Sequence, residues 1–251
     1  MFTARRAVNY GCLYLRHLLW RNISSRFCCD IVSTALGGTM SLLLFYGQLL
    51  QQKTNHPLLI GKGTERYCFQ LLNDIHTVVK ISYSSKAKQT RREINYFQFL
   101  MQHKIPFTHL PKFKGTLRNR TYIALLQERI LNKNTTPSCT LKHYLQHTRS
   151  ANYSEIQQML IVLFRYLYRY NILPCDLQTD NLLVQQNHHN KKLILVDGLG
   201  CTDFIKIAQY IPWFGRRKIL HKIRIFLHQY APELTLNPRE IDKWLLSVKK
   251  P

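Results

Sequence analysis

The chain has 251 residues, of which 36 are lysine or arginine and only 13 are aspartate or glutamate, so its formal net charge is +23. Hydrophobic residues make up 45% of the chain, which is enough to fill the core of one two-lobed domain. The charge excess gives information about binding partners and not about the fold. Seven cysteines, an odd number without any Cys-x-x-Cys pair, exclude a disulfide framework and an ordinary zinc site and indicate a reducing cytoplasm.

Residues 1–52 are predicted to be a basic and apolar extension, and residues 53–251 a single domain with lobes 53–130 and 131–251. Residues 1–26 contain five arginines and no acid, whereas residues 31–52 carry no charge. Three interpretations of the extension remain open: translation that starts at Met40, an interfacial amphipathic segment, and a transmembrane anchor. The anchor is disfavoured, because the arginines would hold the N-terminus in the cytoplasm and place the domain outside it.

The segment 58–69 predicts a strand, a glycine-rich turn and a second strand. Gly61 and Gly63 would let the backbone approach a phosphate group, since glycine has no Cβ atom. Arg66 stands where a third glycine would be expected. The Gly-x-Gly pattern by itself is therefore only weak evidence for a nucleotide site.

The β-branched run 77–81 predicts the next strand, and a helix is predicted over 85–104. Lys80, near the end of that strand, is either a solvated strand end or an ammonium group aimed at nucleotide phosphates. Glu93 is the only acid of the helix. It either pairs with arginines of its own helix at the surface or forms an ion pair that fixes the direction of Lys80.

The most informative pattern lies between residues 172 and 200. Asp176 is followed five residues later by Asn181, then by an apolar strand, a polar turn and a second apolar strand that ends in Asp197 and Gly198. Phosphoryl transfer from a nucleotide uses this layout, with the first acid beside the attacking hydroxyl and the amide and second acid holding Mg²⁺ on the phosphates. The alternative is a β-hairpin whose ends carry polar turn residues.

Other segments predict elements that would support this pattern. They are a strand over 121–126, a helix over 141–147 capped by Thr140, a helix over 154–170, and a C-terminal helix that begins with a capping box at 237–240. The apolar face of the helix over 154–170 should support the Asp176 loop from behind.

Together these motifs resemble the protein-kinase-like fold and, within it, the YrbL family of PhoP regulatory network proteins of enteric bacteria. The resemblance runs from about Leu58 to Pro238 and includes Gly-x-Gly followed by Cys-Phe, Val-Lys-Ile, Arg-Arg-Glu-Ile-Asn-Tyr-Phe, and Leu-x-x-x-Asn-x-Leu. It implies an α+β fold of two lobes, with a small antiparallel-sheet N-lobe and a reduced, mostly helical C-lobe.

The resemblance also implies that ATP and Mg²⁺ are the cofactors, and it gives each matched residue a role. A lysine fixed by a glutamate would contact the α- and β-phosphates, an aspartate would be the catalytic base, and the backbone after the last N-lobe strand would meet the adenine. The catalytic roles fall on Asp176, Lys80 and Glu93, nucleotide binding on Gly61, Gly63, Lys80, Gln127 and Glu128, and metal binding on Asn181 and Asp197.

Departures from typical protein kinases narrow the expected function. Pro174 and Cys175 stand where His-Arg usually precedes the catalytic aspartate, and Gly198 stands where a phenylalanine usually follows the metal-binding aspartate. We therefore expect an ATP- and Mg²⁺-dependent phosphotransferase that acts on a hydroxyl of a small molecule or glycolipid, such as a lipopolysaccharide core sugar, rather than on a protein. The alternative is a non-catalytic, kinase-like regulatory binding module, a pseudokinase.

Three basic clusters, at 86–92, 112–120 and 216–224, account for part of the charge excess. An anionic inner membrane surface or a phosphorylated glycolipid would complement them, and a solvated face without a specific partner is the other interpretation. No helix-turn-helix, zinc-finger or RNA-recognition signature is present, so we expect no sequence-specific binding of nucleic acid. The expected location is the cytoplasm, with peripheral association at the inner membrane as an alternative.

Overall fold

The computed structural model describes residues 42–49, 57–147, 153–187, 190–200, 207–236 and 241–249. These residues form an α+β fold, with a five-stranded antiparallel sheet in the N-terminal part and helices around a three-stranded antiparallel sheet in the C-terminal part. The α+β class predicted from the sequence is therefore confirmed, and the arrangement is consistent with two lobes.

The five-stranded sheet has the strand order β1-β2-β3-β5-β4, and each neighbouring pair is antiparallel. Its strands are β1 (Leu59–Lys62), β2 (Tyr67–Leu71), β3 (Asp74–Tyr83), β4 (Phe113–Arg118) and β5 (Tyr122–Glu128). The second sheet contains β6 (Cys139–Thr140), β7 (Leu182–Asn187) and β8 (Asn190–Leu195). The hairpin predicted after Asn181 is thus confirmed.

The helices are α1 (42–49), α2 (Lys88–Gln102), α3 (Leu141–His147), α4 (Tyr153–Arg169), α5 (Ile207–Tyr210), α6 (Pro212–Tyr230) and α7 (Ile241–Lys249). The helices predicted over 85–104 and 154–170 are confirmed as α2 and α4, with their ends shifted by one to three residues. Thr140 caps α3 as predicted, because its hydroxyl oxygen accepts a hydrogen bond from the His143 N–H at 3.1 Å. The predicted capping box at 237–240 lies outside the described residues, although α7 follows it.

Strand β5 separates two hydrophobic clusters because its side chains alternate between the two faces of the sheet. Ile123 and Leu125 pack toward α2 and the helical core, whereas Ala124 and Leu126 pack on the opposite face. This alternation explains why nearly the whole strand is buried.

Helix α1 covers that opposite face, although it falls within the region predicted to be an extension. Leu43, Tyr46 and Leu49 are buried against the sheet. The Tyr46 hydroxyl donates to the Gln70 carbonyl oxygen at 2.8 Å and accepts from the Leu72 N–H at 2.7 Å, and burial raises the pKa of Tyr46 to about 12. The rest of the predicted extension, residues 1–41 and 50–52, lies outside the described residues, so the three interpretations of the extension stay predictions.

Helix α4 carries the apolar stripe expected for a core helix and packs against β8, α6 and α7. Within the described ranges, no helix combines the length and the apolar character needed to cross a bilayer.

Candidate functional site

Lys80 points from the middle of β3 toward the loop that follows β8. The side chain is buried, its Nζ donates to the Val196 carbonyl oxygen at 2.6 Å, and the same Nζ lies 3.9 Å from Glu93 Oε2. A solvated strand end does not fit this burial. The lysine instead joins the sheet to the residue just before Asp197.

Glu93 is fully buried on α2, so the interpretation as a surface glutamate paired with arginines of its own helix does not apply. Its closest charged partner is Arg66, whose Nη1 donates to Glu93 Oε2 at 2.6 Å. The lysine–glutamate pair expected from the sequence is therefore present only as a longer contact, and an arginine from the glycine-rich turn makes the shorter one.

Arg66 is the site residue that sequence reasoning did not assign. It is 4% exposed, and besides Glu93 it contacts Asp197, to which its Nη2 donates. Gln89 adds a further contact from α2, since its Nε2 donates to Asp197 Oδ1 at 3.1 Å. The sequence signal that could have identified Arg66 is its position, since it replaces the third glycine of the turn. A charged residue at a position where glycine is expected suggests that the side chain has a specific partner.

Asp197 is held in its ionised form by the surrounding positive charge. Burial alone would raise the pKa of Asp197, but Lys80 and Arg66 outweigh burial by their charges. Hydrogen bonds from Arg66 and from the Gly198 N–H, which lies 2.5 Å from Oδ1, act in the same direction. The pKa of this carboxyl group therefore lies well below its usual range.

Asp176 and Asn181 are joined in one loop, as their five-residue spacing predicts. Asn181 Nδ2 donates both to the Asp176 carbonyl oxygen and to Asp176 Oδ2, each at 3.1 Å. The loop is also fixed from α6, because Lys222 Nζ donates to the Cys175 carbonyl oxygen at 2.9 Å. Burial raises the pKa of the Cys175 thiol, so this cysteine is not an activated thiolate.

Gly198 explains why an Asp-Gly pair ends the second strand of the hairpin. Its φ angle is +72°, and a Cβ atom at this position would lie 2.5 Å from the Asp176 carbonyl oxygen. The backbone also closes here, since the Cys175 N–H donates to the Gly198 carbonyl oxygen at 2.7 Å. The glycine thus allows the Asp197 and Asp176 segments to run side by side.

Of the predicted phosphate-approaching glycines, Gly61 lies in β1 opposite Cys68, and Gly63 lies in the β1–β2 turn, where its N–H donates to the Arg66 carbonyl oxygen at 2.8 Å. A Cβ atom at Gly61 would have no heavy atom within 4 Å, and one at Gly63 would have only ordinary contacts. Packing within the described structure therefore does not require glycine at either position.

The predicted adenine contacts lie at the end of β5. Gln127 is buried, and its Oε1 has no hydrogen-bond partner among the residues that the structure describes. The Glu128 N–H, by contrast, donates to the Lys112 carbonyl oxygen at 2.8 Å, and Glu128 Oε2 accepts from the Lys112 N–H at 3.1 Å. The structure therefore does not offer the Glu128 N–H group to a nucleotide.

Comparison with known proteins identifies the family. Residues 52–231, which contain every predicted site residue, match the family described as PhoP regulatory network protein YrbL. The chain belongs to the YrbL family. It is 25% identical over 200 residues to the "Uncharacterized protein YrbL" of Escherichia coli (strain K12), a match that covers 76% of this chain and 95% of that protein. The protein of the same description from Shigella flexneri matches with the same values.

In this YrbL family member, two oxygen atoms could serve as ligands of a divalent cation. All three hydrogen bonds to Asp197 from the described residues go to Oδ1 and none to Oδ2. Asn181 uses its Nδ2 toward Asp176, which leaves the carboxamide oxygen Oδ1 as an acceptor. Mg²⁺ prefers oxygen ligands and commonly needs only one or two carboxylates when phosphates complete its coordination.

A dedicated protein cage for a metal is not seen in the described part of the chain, where no three His, Cys, Asp or Glu side chains are grouped to hold an ion. The donor set of Asp197 and Asn181 therefore fits a cation that arrives with a phosphate ligand better than a resident structural metal.

Proposed function

We propose that the chain has a protein-kinase-like fold, binds ATP with Mg²⁺, and transfers the terminal phosphoryl group to a hydroxyl of a small molecule or glycolipid. The observation that carries this proposal is the meeting of Lys80 from the sheet with Asp197 and the Asp176–Asn181 loop from the helical part. These residue types combine a phosphate-binding cation, oxygen ligands for a metal and a carboxylate base in one place.

The proposed mechanism uses positioning and charge stabilisation. Lys80 would exchange its hydrogen bond to the Val196 carbonyl for the nucleotide phosphates, and Asn181 and Asp197 would hold Mg²⁺, which neutralises phosphate charge. Asp176 would accept the proton of the attacking hydroxyl, and the hydrogen bond from Asn181 Nδ2 would orient the Asp176 carboxylate. The proposed acceptor class, such as a core sugar of lipopolysaccharide, is based on an analogy with lipopolysaccharide kinases that share the protein-kinase-like fold.

The second candidate function is a kinase-like binding module without catalysis. Arg66 favours it, because its guanidinium group already pairs with Asp197 and Glu93 and so neutralises the carboxylates without a metal ion. A site that is neutral by itself has less need of Mg²⁺. In this case the fold would serve regulation through a partner rather than chemistry.

The deciding experiment is thermal unfolding of the full chain with ATP, in the presence and absence of Mg²⁺. A ligand at one hundred times its Kd adds about 2.7 kcal/mol of stability. We expect a Mg²⁺-dependent rise of the unfolding temperature in the wild type and its loss in Asp197→Asn. Asp180→Asn is a matched control, because Asp180 lies in the adjacent Asp176–Asn181 loop but is exposed and pairs only with the exposed Lys142 among the described residues.

Transfer is separated from binding by Asp176→Asn. An enzyme should keep its ATP-dependent stabilisation in this variant and lose phosphate release or transfer by orders of magnitude, whereas a binding module should keep all of its biological effect. A wild type that folds but shows no shift with ATP and Mg²⁺ would contradict the proposed enzyme and favour the binding module.

A further inference from the structure

The start of α6 and the residues just before it expose four large apolar side chains at one place. Their exposed fractions are 65% for Tyr210, 46% for Ile211, 63% for Trp213 and 46% for Phe214. Single exposed apolar residues need no explanation, but here four lie within five positions, and the rings of Trp213 and Phe214 pack edge to face with their centres 4.8 Å apart. Clusters of exposed apolar side chains mark interaction sites. We call residues 210–214 the aromatic end of α6.

Basic side chains border the aromatic end of α6. The Arg217 guanidinium carbon lies 5.9 Å from the centre of the Trp213 ring, and Lys218 and His221 join these residues and Phe214 in lining an open depression of about 430 Å³. The 19 residues of α6 include no aspartate or glutamate. The charged side chains of this helix are therefore all basic, which favours an anionic partner.

The aromatic end is held by the fold and does not depend on a flexible loop. The opposite face of α6 is buried in the helical core through Ile219, Ile223 and Phe226. Gly215 lies so close to the turn after α4 that a Cβ atom there would be 2.0 Å from Asn171 Oδ1. The backbone that carries Trp213 and Phe214 is thus fixed before binding, which lowers the entropy lost on binding.

We propose that residues 210–221 bind the headgroup region of an anionic phospholipid bilayer. Trp213 and Phe214 would enter the boundary between headgroups and acyl chains, where tryptophan and other aromatic rings are favourable, and Arg217 and Lys218 would contact lipid phosphates. A nucleic acid would use the same cations and would stack its bases on the rings of Trp213 and Phe214, but it gives no reason for the aliphatic Ile211 to be exposed. The combination of apolar and basic side chains on one fixed helix therefore favours the bilayer.

Membrane binding at this surface would also bring the Asp176 loop close to lipid-bound molecules. Helix α6 contacts that loop, since Lys222 Nζ donates to the Cys175 carbonyl oxygen at 2.9 Å. The proposed binding does not depend on catalysis, so it is tested separately from nucleotide binding.

The test is flotation of the full chain with vesicles of phosphatidylglycerol and phosphatidylcholine, compared with vesicles of phosphatidylcholine alone. The surface variants are Trp213→Ser with Phe214→Ser, and Arg217→Glu with Lys218→Glu. Each basic residue near an anionic surface contributes about fivefold in partitioning, so the charge variant should bind at least about 25-fold more weakly. The matched control is Lys86→Glu with Lys88→Glu, which changes net charge equally in another basic cluster whose two lysines are exposed.

Support requires that both surface variants weaken binding to anionic vesicles while the Lys86 and Lys88 control does not. Brominated lipids should quench the tryptophan fluorescence of the wild type, and Trp213→Ser should remove most of that quenching. Trp213→Phe, which keeps a ring, should retain most of the binding. All variants alter exposed side chains, and unchanged unfolding temperatures would show that they fold.

Three outcomes would overturn the proposal. Equal loss in the Lys86 and Lys88 control would show attraction by net charge alone. A full chain that does not float with anionic vesicles, or that floats regardless of the surface variants, would show that this surface binds no membrane. Binding of RNA that depends on Arg217 and Lys218, with no vesicle binding, would assign the surface to nucleic acid instead, whether or not Trp213 and Phe214 contribute to it.

Discussion

Arg66 holds two carboxylates at the centre of the site, so its removal should destabilise the fold. Arg66→Gln leaves Glu93 buried beside only the longer contact with Lys80, and it removes one of the cations beside Asp197. Breaking a buried ion pair by removing one partner costs about 3–5 kcal/mol. Urea unfolding at pH 7 should show a loss of this size.

Arg91→Gln is the matched control, because Arg91 is exposed and its side chain donates only to the Ser84 carbonyl oxygen among the described residues. The free energy of unfolding of this variant should fall by no more than about 0.5 kcal/mol. Arg66→Lys should recover only part of the stability, since an ammonium group cannot bridge two carboxylates as a guanidinium fork does. An Arg66→Gln variant as stable as the Arg91 control would contradict the pairing described here.

Asp197 should make the free energy of unfolding depend on pH, and its lowered pKa determines the direction of that dependence. The pKa of Asp197 in the folded protein lies below its unfolded value of about 3.9, so the unfolded chain binds its proton first as the pH falls. The stability that this carboxylate contributes is therefore fully present above about pH 5 and is lost progressively below about pH 4.

The measurement compares the wild type with Asp197→Asn by urea unfolding between pH 3 and pH 6. The difference in free energy of unfolding between the two proteins should shrink as the pH falls, because only the wild type has this carboxylate to protonate. A difference that stays constant over the range would show that Asp197 is not stabilised as an anion.

The contacts of Arg66 also show where sequence reasoning stops. The five-residue spacing of Asp176 and Asn181 predicts that both lie in one loop, and in the structure the two side chains are hydrogen-bonded. The pair of Arg66 and Asp197 spans 131 positions of the chain, and no local pattern specifies such a contact. The sequence shows that Arg66 stands in the place of an expected glycine. It does not show that Arg66 would pair with Asp197.

Among the elements, the Asp-Gly turn after β8 allows a test of backbone strain. Gly198→Ala should cost about 1–3 kcal/mol from its positive φ angle alone, and its Cβ atom would also collide with the Asp176 carbonyl oxygen. Gly61→Ala in β1 should change the free energy of unfolding by no more than about 0.5 kcal/mol, since nothing lies within 4 Å of the new atom.

Chemical unfolding of the two variants checks the strain, and ATP-dependent stabilisation of Gly61→Ala checks the proposed phosphate approach. A stable Gly61→Ala protein with weaker nucleotide binding would indicate that the glycine serves the ligand. If both variants unfold like the wild type, the close contact between the Gly198 and Asp176 segments is not a constraint on the fold.

Elements with a clear hydrophobic period were predictable, and those whose placement depends on tertiary contacts were not. The apolar stripe of α4 gave the correct element type and near-correct ends, and the two apolar runs after Asn181 gave the strands β7 and β8. The uncharged apolar run that contains α1 suits either a membrane or a core, because hydrophobicity alone does not name what covers it. Its burial against β2 and β5 depends on the hydroxyl of Tyr46 and on the sheet face that the helix covers.

For the whole molecule, the charge of +23 predicts that salt stabilises the fold. Like charges repel in the compact state, and raising the ionic strength from 0.01 M to 0.15 M shortens the Debye length from about 30 Å to about 8 Å. Salt also weakens attractive ion pairs, but this loss is small compared with the reduced repulsion. The exposed pair of Arg224 and Asp242 contributes at most about 1 kcal/mol, and the buried pair of Arg66 and Glu93 is poorly screened.

The unfolding temperature should therefore rise with NaCl over this range, and KCl should give the same rise if screening is the cause. A fall in the unfolding temperature would mean that attractive ion pairs outweigh the repulsion despite the excess of bases. Anionic vesicles should raise the unfolding temperature further than NaCl of equal ionic strength, because they place negative charge directly on the basic surface. The Arg217→Glu and Lys218→Glu variant should lose that additional rise while keeping most of the response to salt, which separates a bound surface from general screening.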